Sequence, residues 1–158
     1  MSVNVDLQVV GPGDDTHVET AWRLKEDIRL REDVLKQRRG FFTDAYRRST
    51  VHLLFIDDRL VGFAATRRDG YLLFLAVDPE YRGEGFGERL IDLVAEKHRT
   101  VTCHARTTNE EALAFYDHLG FEIVRRIDNY YEDSGDSFYL KRGDTDGIAG
   151  RLSEYLRR

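Results

Sequence analysis

The run Arg82-Gly-Glu-Gly-Phe-Gly87 places three glycines and one guanidinium between the stretch Leu75-Ala-Val-Asp-Pro79 and an apolar-periodic segment. At the start of a helix, such a loop leaves backbone N–H groups without carbonyl partners, and the helix dipole adds partial positive charge, so it could hold an anion such as a diphosphate. The glycines permit close backbone approach, and Arg82 adds a fixed charge. The spacing is not the dinucleotide fingerprint G-x-G-x-x-G, and no Gly-Lys-Ser/Thr follows to make a P-loop. A glycine-rich turn before a helix is also, more simply, a turn. His104, in Cys103-His-Ala-Arg106, offers a group whose ordinary pKa of about 6.5 suits proton transfer near neutral pH. Its plain alternative is a hydrogen-bonded strand histidine. His17, His52, His98 and His118 have no metal-ligand spacing with one another or with carboxylates, so no metal is expected. The single Cys103 excludes an intramolecular disulfide and a cysteine-based zinc site, and among Val101–Ala105 it reads as a small buried hydrophobe.

The elements that must position these groups follow from length and patterning. A chain of 158 residues, 41% apolar and 34% charged, fits one soluble domain with a sizeable core. No apolar run is long enough to cross a membrane, and the first residues lack a basic region followed by an apolar one, so a cytoplasmic protein without membrane contact is expected. The net charge of -5 argues against general nucleic-acid binding.

Residues 3–10 alternate weakly and read as a strand ended by Gly11-Pro12-Gly13. Residues 14–39 read as one long helix or two in sequence, ended by Gly40. Phe41-Phe42 opens a short apolar segment to Tyr46, either a wall facing a substrate or an aromatic plug in the core. Residues 51–56 and 60–66 form a hairpin about Asp57-Asp58, and Tyr71–Val77, apolar throughout, reads as a central strand covered on both faces. The glycine loop then opens a helix carrying Leu90, Ile91, Val94 and Ala95, and residues 101–105 form the next strand, which implies a right-handed parallel crossover. Asn109 suits an N-cap and Gly120 a left-handed helix end. Residues 121–127 and 137–140 read as an antiparallel hairpin. Residues 144–158 carry Ile148, Leu152, Tyr155 and Leu156 at helical spacing, an amphipathic tail after a domain of residues 1–143.

Arg82, Gly85 and Gly87 match Arg/Gln-x-x-Gly-x-Gly/Ala directly after a strand, and this resembles the acetyl-CoA motif of the GCN5-related N-acetyltransferase (GNAT) superfamily. Thr108-Asn-Glu-Glu-Ala-Leu-Ala-Phe-Tyr-Asp-His-Leu-Gly-Phe121 is similar to that family's Asn-x-x-Ala-x-x-x-Tyr-x-x-x-Gly-Phe segment. The resemblance covers roughly residues 50–141. It implies a single α/β (α+β) domain with a mixed central sheet of about seven strands flanked by about four helices. It also implies acetyl-CoA as cofactor, held by Leu75, Val77, Arg82, Gly83, Gly85, Phe86, Gly87, Asn109 and Tyr116, with Tyr116 near the thioester sulfur.

Arg125 to Leu140, with its paired tyrosines and acidic turn, resembles the protein amino-terminal acetyltransferases, among them the bacterial enzymes acting on ribosomal protein S18. The resemblance implies a protein or peptide N-terminus as acceptor, a ribosomal protein included, with Tyr130 and Tyr131 holding its first residues; Phe41 and Phe42, outside the stretch that carries the resemblance, are the candidate substrate wall already named. The S18-type enzymes carry Glu where this chain has His104. His104 with Tyr71 instead resembles the eukaryotic enzymes acting on methionine-starting termini, which implies catalysis by His104, directly or through a water held with Tyr71. A leaving thiol of pKa about 8.5 makes proton donation by Tyr116 useful but not essential, and its plain alternative is a helix tyrosine closing the core. An α-amine, with a pKa of about 7.7–8.0, costs about 3.5 kcal/mol less to deprotonate near neutral pH than a lysine near 10.4, so a mild base suffices. A small-molecule amine acetyltransferase and a non-catalytic CoA-binding module remain as alternatives, and a monomer or homodimer fits either.

Overall fold

The computed structural model of the protein describes residues 4–143, so the predicted tail lies outside the described residues. Its elements, in chain order, are β1 (Asp6–Val10), α1 (Val18–Glu32), α2 (Arg39–Arg47), β2 (Thr50–Ile56), β3 (Arg59–Thr66), β4 (Leu72–Val77), α3 (Phe86–Lys97), β5 (Thr100–Arg106), α4 (Glu110–His118), β6 (Glu122–Ile127) and β7 (Ser137–Gly143). Seven strands and four helices match the expected α/β class. Among the described residues the backbone gathers into two compact units that divide between Lys97 and His98.

The first unit is built on an antiparallel sheet in the order β1-β2-β3-β4. Asp57 and Asp58 both adopt left-handed φ, 48° and 64°, the geometry of a two-residue hairpin turn that matches strand twist. α1 stops at Glu32, where Asp33 turns left-handed and donates its N–H to Arg29 O at 2.9 Å. Leu35 is left-handed as well, which a leucine tolerates only under tertiary constraint, and Val34 and Leu35 pack against the core. Gly40 therefore does not end the first helix as expected. It lies in the first turn of a separate α2, whose Phe42 and Tyr46 face inward. Phe42 is wholly buried, with ring centroids 4.8 Å from Phe74, 5.5 Å from Trp22 and 6.1 Å from Phe63. Its burial contributes roughly 1.5–3 kcal/mol.

β4 departs from the expectation of a strand covered on both faces. Leu72, Phe74 and Ala76 are buried while Leu73, Leu75 and Val77 are half-buried, so one face of β4 is fully covered and the other only in part. α3 lays Leu90, Ile91 and Val94 on this sheet. The approach is close at Gly62, where a Cβ would stand 3.0 Å from Ala76 O and 3.2 Å from Leu90 Cδ1.

The second unit carries a three-stranded sheet in the order β5-β7-β6, with α4 leading into β6. All five strand pairings among the described residues are antiparallel, so the seven strands form two sheets and the expected parallel crossover has no ladder. The order strand, helix, strand does not itself choose a partner. β5 pairs along its whole length with β7, from Thr100 opposite Gly143 to Arg106 opposite Ser137. The β6–β7 hairpin is as expected, except that its register shifts between Ile123 and Arg125. The bulge leaves Val124 unpaired and sets Arg125 opposite Tyr139.

Candidate active site

The glycine loop of the first unit is held by the turn that precedes it. The Asp78 carboxylate is buried and accepts from Glu80 N–H at 3.0 Å and from Arg59 Nη2 at 2.7 Å, while Arg59 also pairs with Glu80 at 2.9 Å. Beyond this clamp, Gly83 and Gly85 adopt φ of 81° and 84°, which other residues enter only at a cost, and a Cβ on either would meet nothing within 4 Å. The space beside both glycines is open. Arg89 N–H donates to Gly85 O at 3.0 Å, so the N–H groups of Phe86, Gly87 and Glu88 lie in the first turn of α3, ahead of the helical ladder. Open space, left-handed glycines and unladdered donors at a helix start fit a diphosphate. Arg82 is less available than its charge suggested: it forms an ion pair with Glu32, and its Nη2 donates to Val77 O at 3.3 Å.

That bond to Val77 O also shows how the edge of β4 is directed. Asp78 N–H bonds Val61 O at 2.8 Å, so every second residue from Asp78 inward pairs with β3. The backbone groups of Leu73, Leu75 and Val77 then point away from β3, an array of amide donors and acceptors suited to an extended amide-bearing ligand. At the head of the same strand, Tyr71 is half-buried under the Arg67 guanidinium, 4.5 Å from its ring centroid. Its N–H donates to Asp69 Oδ1 at 3.2 Å. Phe41 is 52% exposed on α2 and can meet a ligand, whereas Phe42 is buried in the core, the plug that the sequence offered as the alternative to a wall.

In the second unit His104 stands on the half-buried side of β5, opposite Tyr139 on β7. Tyr130, 26 residues away in sequence, stacks on it with ring centroids 4.3 Å apart and planes 11° from parallel. Tyr130 Oη lies 3.4 Å from His104 Nδ1, a long contact between stacked groups. Burial, and secondarily the Arg125 guanidinium, hold the His104 pKa below its ordinary value, so the ring is neutral at pH 7 and able to accept a proton.

The loop carrying Tyr130 is tied at three points. Asp136 accepts from Asn129 N–H at 2.9 Å and from Arg126 Nη2 at 2.6 Å, which stabilises the left-handed φ of 54° at Asn129. Tyr131 N–H donates to Gly135 O at 3.1 Å. Arg106 pairs with Asp133 at 3.0 Å and lies 4.0 Å over the Tyr131 ring. A side chain at Gly135 would strike Arg106 Nη1 at 2.5 Å. Tyr131, half-buried and edge-on to Tyr130 at 5.0 Å, serves the loop's own packing, while Tyr130 is 42% exposed. Burial pushes the Tyr131 hydroxyl pKa up. Sequence reading missed Tyr139, Arg125 and the Asp136 clamp, because each acts through a cross-strand or cross-loop partner that no local pattern announces.

Asn109 caps α4 as expected, its Oδ1 accepting from Ala112 N–H at 3.1 Å, which leaves the amide N–H₂ to meet a ligand. Tyr116 is buried on the same helix, edge-on to Phe121 at 5.0 Å, with its hydroxyl in hydrogen-bonding contact with Cys103. Burial pushes the Cys103 thiol up to about 12, so it is inert as a nucleophile at neutral pH. No cluster of three or more His, Cys, Asp or Glu side chains able to hold a metal occurs among the described residues. Nor is any described helix long and apolar enough to cross a membrane.

A family model described as "Acetyltransferase (GNAT) domain" matches residues 47–123. Among curated proteins, N-alpha-acetyltransferase RimI of Mycobacterium tuberculosis is 36% identical over 95 residues, 54% of this chain and 60% of that protein. The 5-NmdU N-acetyltransferase of Pseudomonas phage PaMx11 is 34% identical over 87 residues, 51% of this chain and 62% of that protein. The chain thus spans less than two thirds of the length of either relative. Among solved structures, Arabidopsis thaliana Naa50 in complex with the bisubstrate analogue CoA-Ac-MVNAL superposes with a TM-score of 0.67 at 25% identity, over 87% of this chain and 99% of that one.

Proposed function

We propose, from the premise that residues 47–123 carry a GNAT acetyltransferase domain, that this chain transfers the acetyl group of acetyl-CoA to the α-amino group of a protein or peptide. The observation that carries the acceptor side is Tyr130 stacked on His104. A neutral imidazole and an exposed tyrosine meet on one sheet face, where a terminal amine could be oriented and deprotonated. The N-alpha-acetyltransferase named above and the peptide-bearing bisubstrate complex of Naa50 support the same reading.

The fit of the Arg82–Gly87 loop to a diphosphate and of the β4 edge to an extended amide chain support acetyl-CoA as donor. Bound there, it supplies a thioester already activated for acyl transfer. His104 would take one proton of the acceptor ammonium, directly or through a water, leaving a neutral amine able to displace the thiol from a thioester, and the amine's second proton would leave on the departing thiol. An α-amine needs only this mild base, because its pKa of about 7.7–8.0 lies close to neutrality. A thiol of pKa about 8.5 is a competent leaving group without obligatory protonation, so Tyr116, engaged with Cys103, assists departure rather than controlling it.

A second reading, acetylation of a small or nucleobase-linked amine, is favoured by the likeness to the phage 5-NmdU N-acetyltransferase. Incubation with acetyl-CoA and short peptides varied at positions one and two, following CoA release and peptide mass, separates the two. Peptide α-acetylation is the expected result. Turnover of free amines with no peptide acetylated refutes the first reading.

A further inference from the structure

Three side chains share one face of the second sheet in a row: His104 on β5, Tyr139 opposite it on β7, and Arg125 opposite Tyr139 on β6. Arg125 reaches this row because of the bulge. In a regular ladder Val124 would face Tyr139, and an aliphatic side chain would end the row. The guanidinium lies 5.1 Å over the Tyr139 ring, is exposed, and forms no salt bridge or hydrogen bond among the described residues. Its neighbours differ. Arg126 is paired with both Asp128 and Asp136, and Arg106 with Asp133. Arg125 is thus an unneutralised cation braced on an aromatic ring beside the proposed base, and close enough to lower the His104 pKa.

We propose that Arg125 is a specificity-determining residue that selects acceptor chains carrying a carboxylate at their second or third position. This rests on the peptide-acceptor reading above. Two inter-strand steps separate His104 from Arg125, roughly 10 Å. An extended acceptor advances about 3.3 Å per residue, so a chain whose amine sits at His104 and which crosses Tyr139 brings its second or third side chain under the guanidinium. A planar fork of donors held over a ring is pre-organised for a carboxylate, and the same cation disfavours a lysine or arginine at those positions.

The test uses the full chain and peptides identical except for Glu, Gln or Lys at position two or three, on the first residue that the wild type acetylates best. At low ionic strength kcat/KM is expected to rank Glu above Gln above Lys at one of these positions, by about two- to five-fold per step as for exposed ion pairs. The preference should shrink in 0.5 M salt, roughly where screening acts within about 4–5 Å. In Arg125→Gln the Glu to Gln ratio should fall to about one, and in Arg125→Glu the order should invert toward Lys. Peptide acetylation with equal rates for the three series overturns the selection and leaves the peptide reading intact. A raised KM for acetyl-CoA in Arg125→Gln with peptide ranking unchanged also overturns it, since the anion met would then be the cofactor's. No acetylation of any peptide overturns both.

Discussion

Replacing His104 by Gln removes the proposed base while keeping a planar polar group beside Tyr130. A general base is worth about 10²- to 10⁴-fold, or roughly 2.7–5.5 kcal/mol of barrier. How much of that appears depends on pH, because the acceptor can lose its proton unaided. With an α-amine pKa of about 7.7–8.0, about 3–6% is neutral at pH 6.5 and more than about 90% at pH 9. The defect in kcat/KM should therefore be largest near pH 6.5 and shrink by about 15- to 30-fold by pH 9. The wild-type profile should carry an acid limb below the ordinary imidazole range, since burial and Arg125 hold the His104 pKa down. That limb should vanish in the variant and leave only the amine's own inflection. The same shift has a sign in stability. The neutral ring of the folded state contributes stability above the unfolded pKa of about 6.5, and this is lost as pH falls through the lower folded value. Initial rates of CoA release across pH 5.5–9.5 at subsaturating peptide give both profiles, and an unaltered acid limb in His104→Gln would remove His104 from the mechanism.

Gly85→Val should raise the Kd for acetyl-CoA by about tenfold or more in calorimetric titration, because a β-branched residue resists φ near 84° and its Cβ enters the open space beside the loop; an unchanged Kd would show that the loop does not face the donor. Phe42→Ala should cost about 3–5 kcal/mol and lower Tm by about 6–20 °C, as expected for a wholly buried ring among aromatics, without a selective rise in peptide KM. A selective KM effect at unchanged Tm would return Phe42 to the acceptor wall. Asp136→Ala should loosen the Tyr130 loop, so that kcat/KM for peptides falls while acetyl-CoA affinity holds, and limited proteolysis begins between residues 128 and 136. A loop still protected, with full peptide activity, would show that the clamp is dispensable.

Much of this protein follows from local chemistry in the chain. Helix starts and ends at Asn109 and Gly120, the hairpin about Asp57-Asp58, and the glycine loop before α3 each rest on conformations that particular residues favour, so neighbouring residues suffice to announce them. The candidate anion site was legible for the same reason, since donors at a helix start and permissive glycines lie within six residues. Other features depended on partners far along the chain. The break between α1 and α2 is made by Val34 and Leu35 packing on the core at the expense of a strained leucine, not by Gly40. Phe41 and Phe42 are adjacent and chemically identical, and only the helix phase decides that one is exposed and the other buried. At the site, His104 was visible as a candidate base, but its stacking on Tyr130 comes from Asp136, Arg126 and Arg106 tying a loop. Whether Val124 or Arg125 faces Tyr139 is decided by one bulge. Register is a collective outcome of cross-strand pairing, and a one-residue shift exchanges the two faces of a strand. Residue type and spacing therefore determined what chemistry this chain carries, and tertiary pairing decided which side chains share the surface where it is proposed to occur.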